Sequence, residues 1–354
     1  TYPNFNRFLS LLGVGRHESG MSFSYHDART GLAYASTNVD TFFAQRSNLL
    51  RPSFWLMSLG IARFNWMTPL HLERGFLKGL TLGEFLTLHR FNRYFVEQYL
   101  LPICASVWSA PDARMLDFPM ETFARFFLNH GLFTISRQPR WFTVQGGSHS
   151  YVKAFLAGFG GRVFTSSRVR EIVRRGGKVL VRTSHDEQAY NAVVLACHAD
   201  EALEVLAYPS REEMGLLGAW SYSRNKTVLH TDTSFLPPLE KTWASWNYQR
   251  THRPEEGSQV SLTYYMNRLQ GLSTQRHYCV TLNPSRPVAP SSTIREMVYN
   301  HPVYTHESLA TQAGLAALNG QNGTYYCGSY MGYGFHEDAV RSALAVCRAF
   351  GLEL

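Results

Sequence analysis

The feature that most limits what this chain can fold into lies near its end. Thr324-Tyr325-Tyr326-Cys327 reads as a short strand, Gly328 ends it, and a glycine-containing loop runs from Ser329 to His336. From about Glu337 to Phe350, the apolar residues Ala339, Val340, Ala343, Leu344, Val346, Cys347 and Phe350 recur with a period of 3.6. That period predicts a helix, and Gly351 suits the position just past its end. A strand that passes through glycines into a helix N-terminus is an anion-binding device, because the first-turn amides lack intrahelical acceptors and carry partial positive charge. Gly332 and Gly334 would let a ligand approach the backbone closely. A phosphate suits such a corner, and so does the edge of a redox-active ring that gains negative charge. The helix dipole contributes about 0.3–1 kcal/mol toward an exposed charge. Taken alone, the pattern equally describes an ordinary strand–loop–helix unit.

The rest of the chain divides by character. The first 140 residues read mainly as helix and loop. Phe5, Phe8, Leu9 and Leu12 have helical spacing that stops at Gly13. Thr81-Leu82-Gly83-Glu84 looks like a capping box, followed by a helix carrying Phe85, Leu88, His89, Phe91, Asn92 and Phe95. Phe118–Leu128 is another helical pattern, and short strand pieces occur at Met21–Tyr25 and Leu32–Ala35. After Arg140 come Trp141–Val144, Gln145-Gly146-Gly147-Ser148 and a helix to about Gly158. Four β-like runs follow: Arg162–Thr165, Arg168–Val173, Lys178–Arg182 and Tyr190–Ala196. Gly176-Gly177 is a two-residue hairpin signal, and the continuous apolar run Ala192–Ala196 predicts a strand buried on both faces. A helix spans about Asp200 to Leu206. Residues 207–300 mix strands, including Thr227–His230 and Val260–Tyr265, with loops, and are expected to return to the domain begun by 1–140.

Composition excludes several classes. Hydrophobic residues make up 45% and charged residues 17% of 354, which is ample for a core and unlike a disordered chain. Aromatics reach 14%, as expected for large apolar cavities. The excess of 34 Lys plus Arg over 26 Asp plus Glu, net +8, allows anionic partners, but no dense basic run points to nucleic acid. Arg168, Arg170, Arg174 and Arg175 read as a solvated face. Cys104, Cys197, Cys279, Cys327 and Cys347 show no CxxC spacing, so reduced thiols in a cytosolic protein are expected rather than disulfides or zinc. The longest apolar stretch, Pro52–Ala62, is far short of the roughly 20 residues of a membrane span. Gly147-Ser148-His149-Ser150 is no nucleophile elbow, and neither a Walker A sequence nor His spacing for a metal is present.

The exact residues of the C-terminal segment carry a resemblance. Cys327-Gly328-Ser329-Tyr330-Met331-Gly332-Tyr333-Gly334-Phe335-His336-Glu337-Asp338-Ala339-Val340 resembles the flavin segment of FAD-dependent oxidoreductases of the amine oxidase and phytoene desaturase superfamily. The run Gly-Tyr-Gly-Phe-His-Glu-Asp is similar to a branch of predicted NAD/FAD-binding proteins found beside, or fused to, cyclopropane fatty acid synthases. Gly146-Gly147 before a helix, then Gly160-Gly161-Arg162-Val163, Arg168–Ile172 and Ala192–Ala196, is similar to the middle segment of that superfamily.

The resemblance implies FAD as cofactor, held by Gly146, Gly147, Val169, Gly328, Ser329, Gly332, Gly334, Phe335, His336, Glu337, Ala339 and Val340, with Val169 at the adenine end and Tyr330 and His336 near the isoalloxazine. It implies an α/β fold of mixed α+β character. A discontinuous, partial Rossmann-like FAD domain (141–206 and 301–354) would join a substrate domain of helices and a mixed sheet (1–140 and 207–300). The implied reaction is hydride transfer from a C–C or C–N bond to flavin, on an acyl-chain or lipid substrate in a desaturase-like step. An amine is the alternative substrate, with Trp108, Trp141 and Tyr333 as candidates for an aromatic cage. A non-catalytic lipid carrier or scaffold without FAD is the alternative of another class. Implied partners are a lipid or other small-molecule substrate and a fatty acid methyltransferase. A cytoplasmic location is expected. Thr41–Lys78, rich in Phe, Leu, Trp, Met and Arg, reads as helices roofing a substrate cavity, or as a peripheral contact at the inner face of the membrane.

The family opens with G-x-G-x-x-G, which cradles the FAD pyrophosphate. Here Gly13-Val14-Gly15 is followed by Arg16-His17-Glu18, without the third glycine or a preceding β-run, and Tyr2-Pro3-Asn4-Phe5 resembles a segment that follows that motif. The expectation is a fragment that lacks the nucleotide-binding unit and is inactive alone. Residues 1–354 should therefore purify with well under one flavin per chain, and stoichiometric flavin absorbance would contradict this.

Overall fold

The computed structural model describes residues 2–108, 112–134, 139–251 and 261–354. The first half runs α1 (Pro3–Leu11), β1 (Arg16–Ser19), β2 (Phe23–Asp27), β3 (Leu32–Ala35), α2 (Val39–Phe42), α3 (Pro52–Glu73), α4 (Leu82–Leu88), α5 (Arg93–Phe95), α6 (Leu101–Trp108), α7 (Asp112–Leu116), α8 (Met120–Asn129), β4 (Trp141–Val144) and α9 (His149–Gly158). Then come β5 (Val169–Arg175), β6 (Lys178–Thr183), β7 (Glu187–Tyr190), β8 (Val193–Leu195), α10 (Ala199–Val205), α11 (Arg211–Gly218), β9 (Ser221–His230), β10 (Trp246–Arg250) and β11 (Leu262–Tyr265). The chain closes with α12 (Met266–Leu269), β12 (Cys279–Leu282), β13 (Thr293–Val303), α13 (His306–Ala317), β14 (Thr324–Tyr326) and α14 (His336–Ala349). Val260, the first residue of one expected strand, lies outside the described residues.

These elements form two compact units. One gathers residues 1–15, 148–222 and 302–354, and the other 16–147 and 223–301. The boundaries expected at 140, 206 and 300 thus fall at 147, 222 and 301, and residues 1–15 group with the C-terminal segment. The reason for the last shift is a cap. The Glu337 carboxylate on α14 accepts from the Asn4 amide at 3.2 Å, the Asn4 side chain at 2.6 Å and the Phe5 amide at 2.9 Å. It thereby satisfies amides at the start of α1 that no intrahelical carbonyl reaches.

The unit of 16–147 and 223–301 is built on a seven-stranded sheet in the order β13-β9-β12-β11-β10-β2-β3. β2 pairs parallel to β10, while β11, β12 and β9 continue antiparallel, so the sheet is mixed. Helices supply an aromatic core. Phe64 of α3 meets Phe85, Phe91, Phe95, Phe123 and Phe133 at ring separations of 5.6–6.1 Å. Each such pair adds about 0.5–1.5 kcal/mol beyond its buried area. Gly60 of α3 permits that approach, since a Cβ there would lie 2.6 Å from the Phe95 ring. The Thr81–Glu84 capping box forms as expected. The helix after it does not run on to Phe95. α4 ends at Leu88, Arg90 takes φ +50, and the Asn92 side chain caps a new helix by accepting from the Phe95 amide at 2.7 Å. A π-helical turn, Val96–Leu100, then turns Gln98 inward, where its side-chain oxygen accepts from the Tyr25 hydroxyl and its carbonyl from the Tyr34 hydroxyl.

In the other unit, β5, β6 and β7 form an antiparallel sheet, and β8 pairs in parallel with β14. Gly176-Gly177 makes the expected hairpin turn with φ of +60 and +70. Three expectations fail in this unit. Arg162–Thr165 is irregular, leading into a turn with Ser166 at φ +57, and Tyr190–Ala196 splits between two sheets as β7 and β8. The apolar run is also not buried on both faces, because Val194 is 45% exposed. The tightest polar lock is Glu213 of α11. It accepts from both terminal nitrogens of Arg174, from the Tyr326 hydroxyl at 2.6 Å and from the Ser210 amide at 2.7 Å. Burial by itself would raise this carboxyl, but the Arg174 and Tyr326 hydrogen bonds outweigh it and hold the pKa at about 2.

Glu213→Gln should therefore cost about 3 kcal/mol, since it leaves the Arg174 guanidinium buried without a counter-charge. The stabilisation is fully present above the unfolded-state pKa, near 4.5, and is lost as pH falls toward 2. Urea unfolding across that window should show a steeper acid loss in the parent than in the variant.

Candidate functional site

Parallel strands collect ligands at their carboxyl ends, where the backbone turns away and helix N-termini converge. In this molecule the carboxyl end of β8 leads to Cys197 and the start of α10, and that of β14 leads to Cys327, Gly328 and the loop before α14. Tyr222 caps one side, since its hydroxyl accepts from the Ala199 amide at 2.9 Å and its ring stacks on His198 at 4.3 Å. Tyr330 is 2% exposed and packs against Trp220 at 5.6 Å, and Trp220 in turn meets Tyr304 at 5.5 Å. The Tyr330 hydroxyl is buried with no hydrogen-bond partner among the described residues. Burial, then the neighbouring Tyr222 and Cys197, hold the Tyr330 phenol well above its ordinary pKa, so it stays a neutral donor. Burial pushes the Cys197 thiol up to about 11, which makes it an unreactive thiol at neutral pH.

The expected loop residues come together as one rigid corner. Ser342 of α14 donates to the Gly328 carbonyl and accepts from its amide at 2.9 Å. The Gln312 amide donates to the carbonyls of Tyr330 and Gly332, each at 2.9 Å. The Ser329 carbonyl accepts from the amides of Gly332 and Gly334.

The glycines are explained differently from the expectation. A Cβ on Gly332 would lie 2.1 Å from the Asp338 carboxylate, and one on Gly334 (φ +95) would lie 2.6 Å from the Tyr304 hydroxyl. Protein atoms, not open space for a ligand, fill those positions. The Asp338 carboxylate accepts from the Phe335 amide at 3.1 Å and pairs with Arg341 at 2.9 Å, so the anion slot of the loop is used from inside. Glu337, expected at the flavin, caps α1 through its carboxylate. His336 stacks on Phe5 at 4.9 Å. The first-turn amides of His336 and Glu337, beyond reach of any intrahelical carbonyl, remain as the donors of the corner. Ala339 and Val340 follow in the next part of α14, both half-buried.

Other expected residues lie elsewhere. Val169 opens β5, pairs with Thr183 beside a bulge, and belongs to the three-stranded sheet rather than to β8–β14. Gly146 and Gly147 close the unit of 16–147, both with positive φ, and the position of a Cβ on Gly147 is open. Trp108 is a core residue packed on Phe118 at 4.5 Å and Phe126 at 4.9 Å, and Trp141 stacks on His130, both in the unit of 16–147 and 223–301, while Tyr333, the third cage candidate, belongs to the other unit. Trp220, Tyr222, Tyr304 and Gln312 carry no motif, and sequence reading missed them.

Comparison with known proteins now fixes the class. The family model for flavin containing amine oxidoreductases matches residues 68–350, and this chain belongs to that family. Its fold is similar to that of a fatty acid isomerase from P. acnes that produces CLA, with a TM-score of 0.67 at 12% identity, covering 99% of this chain and 85% of that one. It is also similar to a putrescine oxidase bound to putrescine (TM-score 0.63, 12% identity, 99% and 85% covered). A cyclohexylamine oxidase from Brevibacterium oxydans IH-35A gives a TM-score of 0.58 at 11% identity, with 99% and 86% covered. Among curated proteins, none matches the sequence. The family implies a flavin, and the β8–β14 corner fits one: an unsatisfied Tyr330 hydroxyl, a helix N-terminus and aromatic walls share the carboxyl ends of two parallel strands.

Glu337→Ala should unfasten α1 at a cost of about 1 kcal/mol, the usual worth of a cap. A lowered thermal midpoint with faster proteolysis near Phe5 is the expected result.

Proposed function

We propose that this protein is a flavin-dependent oxidoreductase that removes hydride from the acyl chain of a lipid, a desaturase-like reaction. The observation that carries the reading is a cavity of about 220 Å³ in the unit of 16–147 and 223–301. Val39, Phe42, Phe43, Ile61, Ala62 and Leu132 form its apolar wall, Ser36, Thr37, Asn38, Ser58, Asn65, Tyr99 and Thr134 give it neutral polar points, and no charged side chain is among its lining residues. An ammonium substrate would need a counter-charge to offset its desolvation, and none lines the cavity, whereas a hydrocarbon chain can lie along the apolar wall. The volume suits a slender chain better than a drug-sized body. Burial pushes the Tyr99 phenol up to about 12, so it remains a neutral hydroxyl.

When bound, the flavin supplies the hydride acceptor. The chain's own part is to exclude water with aromatic walls, hold the substrate chain and offer neutral donors. The Tyr330 hydroxyl is one such donor, and the amides of His336 and Glu337 are others. A fatty acid methyltransferase as functional partner and a cytoplasmic location fit the same reading, as does the similarity to a fatty acid isomerase. Amine oxidation is the second reading, favoured by the fold shared with putrescine oxidase.

The test is anaerobic mixing of the flavin-loaded protein with unsaturated phospholipids or free fatty acids, and separately with putrescine. Bleaching of the flavin by acyl substrates, slowed about tenfold or more in Ala62→Phe, which narrows the cavity, is the expected result. Bleaching by the amine alone would overturn it.

A further inference from the structure

A surface helix normally turns a polar face to water. α3 does not. Its inner face buries Phe54, Met57, Ile61, Phe64 and Met67 in the core. Its outer face presents Trp55, Leu56, Leu59 (66% exposed) and Trp66 (70% exposed), spaced by three, four and seven residues. Just before the helix, Leu50 is 87% exposed. From Trp55 to Trp66 the stripe extends about 16 Å along the axis at 1.5 Å per residue. An apolar stripe of this kind marks a contact surface rather than scattered exposure. Among the described residues no helix is long and apolar enough to cross a membrane.

Charge identifies what covers the stripe. Between Thr41 and Leu80 there are five basic residues, Arg46, Arg51, Arg63, Arg74 and Lys78, against a single acid, Glu73. Arg46 pairs with Asp40, and Arg63 donates to the His89 carbonyl. Arg74 and Lys78, exposed at the end of α3 and just beyond it, make no ion pair among the described residues. Apolar side chains flanked by unpaired cations match a layer with an apolar interior and an anionic surface. The cavity adjoins the same helix: Ser58, Ile61, Ala62 and Asn65 line it, next in sequence to Leu59 and Trp66.

We propose that the outer face of α3 seats on an anionic lipid bilayer, with Trp55, Leu59 and Trp66 inserted and Arg74 and Lys78 on the headgroups, and that a lipid chain passes from the bilayer beside α3 into the cavity. The chain-entry part rests on the acyl-substrate reading above. The bilayer part does not.

Cosedimentation of the full chain with phosphatidylcholine vesicles, with and without phosphatidylglycerol, tests the seat. Binding should require phosphatidylglycerol and weaken with salt. It should fall about tenfold or more in Leu59→Glu/Trp66→Glu, and also fall in Arg74→Glu/Lys78→Glu, with circular dichroism and thermal midpoint unchanged. Brominated acyl chains should quench tryptophan fluorescence in the parent and not in Trp55→Phe/Trp66→Phe. Equal binding by the parent and the first variant, or none by the parent, overturns the proposal. So does a parent dimer that the first variant turns to monomer without change in vesicle binding, because the face would then cover a second copy. A fluorescent polyene fatty acid tests the cavity: binding lost in Ala62→Phe, with vesicle binding kept, supports chain entry. Vesicle binding without uptake of the probe overturns the acyl reading and leaves the seat standing.

Discussion

Two neighbouring carboxylates at the start of α14 set the geometry on which one whole unit depends. Glu337 reaches out to the amides of Asn4 and Phe5, and Asp338 turns back to the Phe335 amide in the loop. One ties the first helix of the chain to the last, and the other folds the glycine loop tightly around itself. Buried amides without acceptors are expensive, so these bonds decide where α1 sits and how the loop after β14 bends. Gly332 and Gly334 follow from that arrangement. Each is glycine because Asp338 or Tyr304 already occupies the place of a side chain.

The other unit depends on aromatic packing. Phe64 at the centre of five phenylalanine rings fixes α3 against α4, α5 and α8, and Gly60 lets Phe95 close the cluster. The consequence is a helix whose inner apolar face is committed to the core while its outer face remains apolar as well. The same helix borders a cavity walled by Phe42, Phe43 and Ile61. Core, cavity wall and exposed stripe are three faces of one 22-residue element.

Local signals were legible wherever a few adjacent residues determine a conformation. The capping box at Thr81–Glu84, the hairpin at Gly176-Gly177 and the strand–loop–helix of 324–350 all depend on neighbours in sequence, and all form. The break at Arg90 escaped notice because the helical spacing of Phe85, Leu88 and Phe91 continues across it, while the deciding interaction is the Asn92 cap on Phe95. The run Ala192–Ala196 gave the right strand but the wrong burial, since exposure depends on what packs against Val194, which no window of sequence contains.

By itself the sequence determined the strand–loop–helix corner at β14 and α14, because glycine spacing and helical periodicity are local consequences of backbone sterics and amide hydrogen bonding, while the class of the protein was legible only through the resemblance carried by residues 327–340. Only the tertiary structure decided what that corner touches. It brought Trp220 and Tyr222 beside Tyr330 from about a hundred residues away, packed Tyr304 on Trp220, and engaged Glu337 as the cap of α1. Those outcomes depend on long-range pairing, such as β8 with β14, whose partners are set by the packing of the whole unit rather than by any residue's own neighbours.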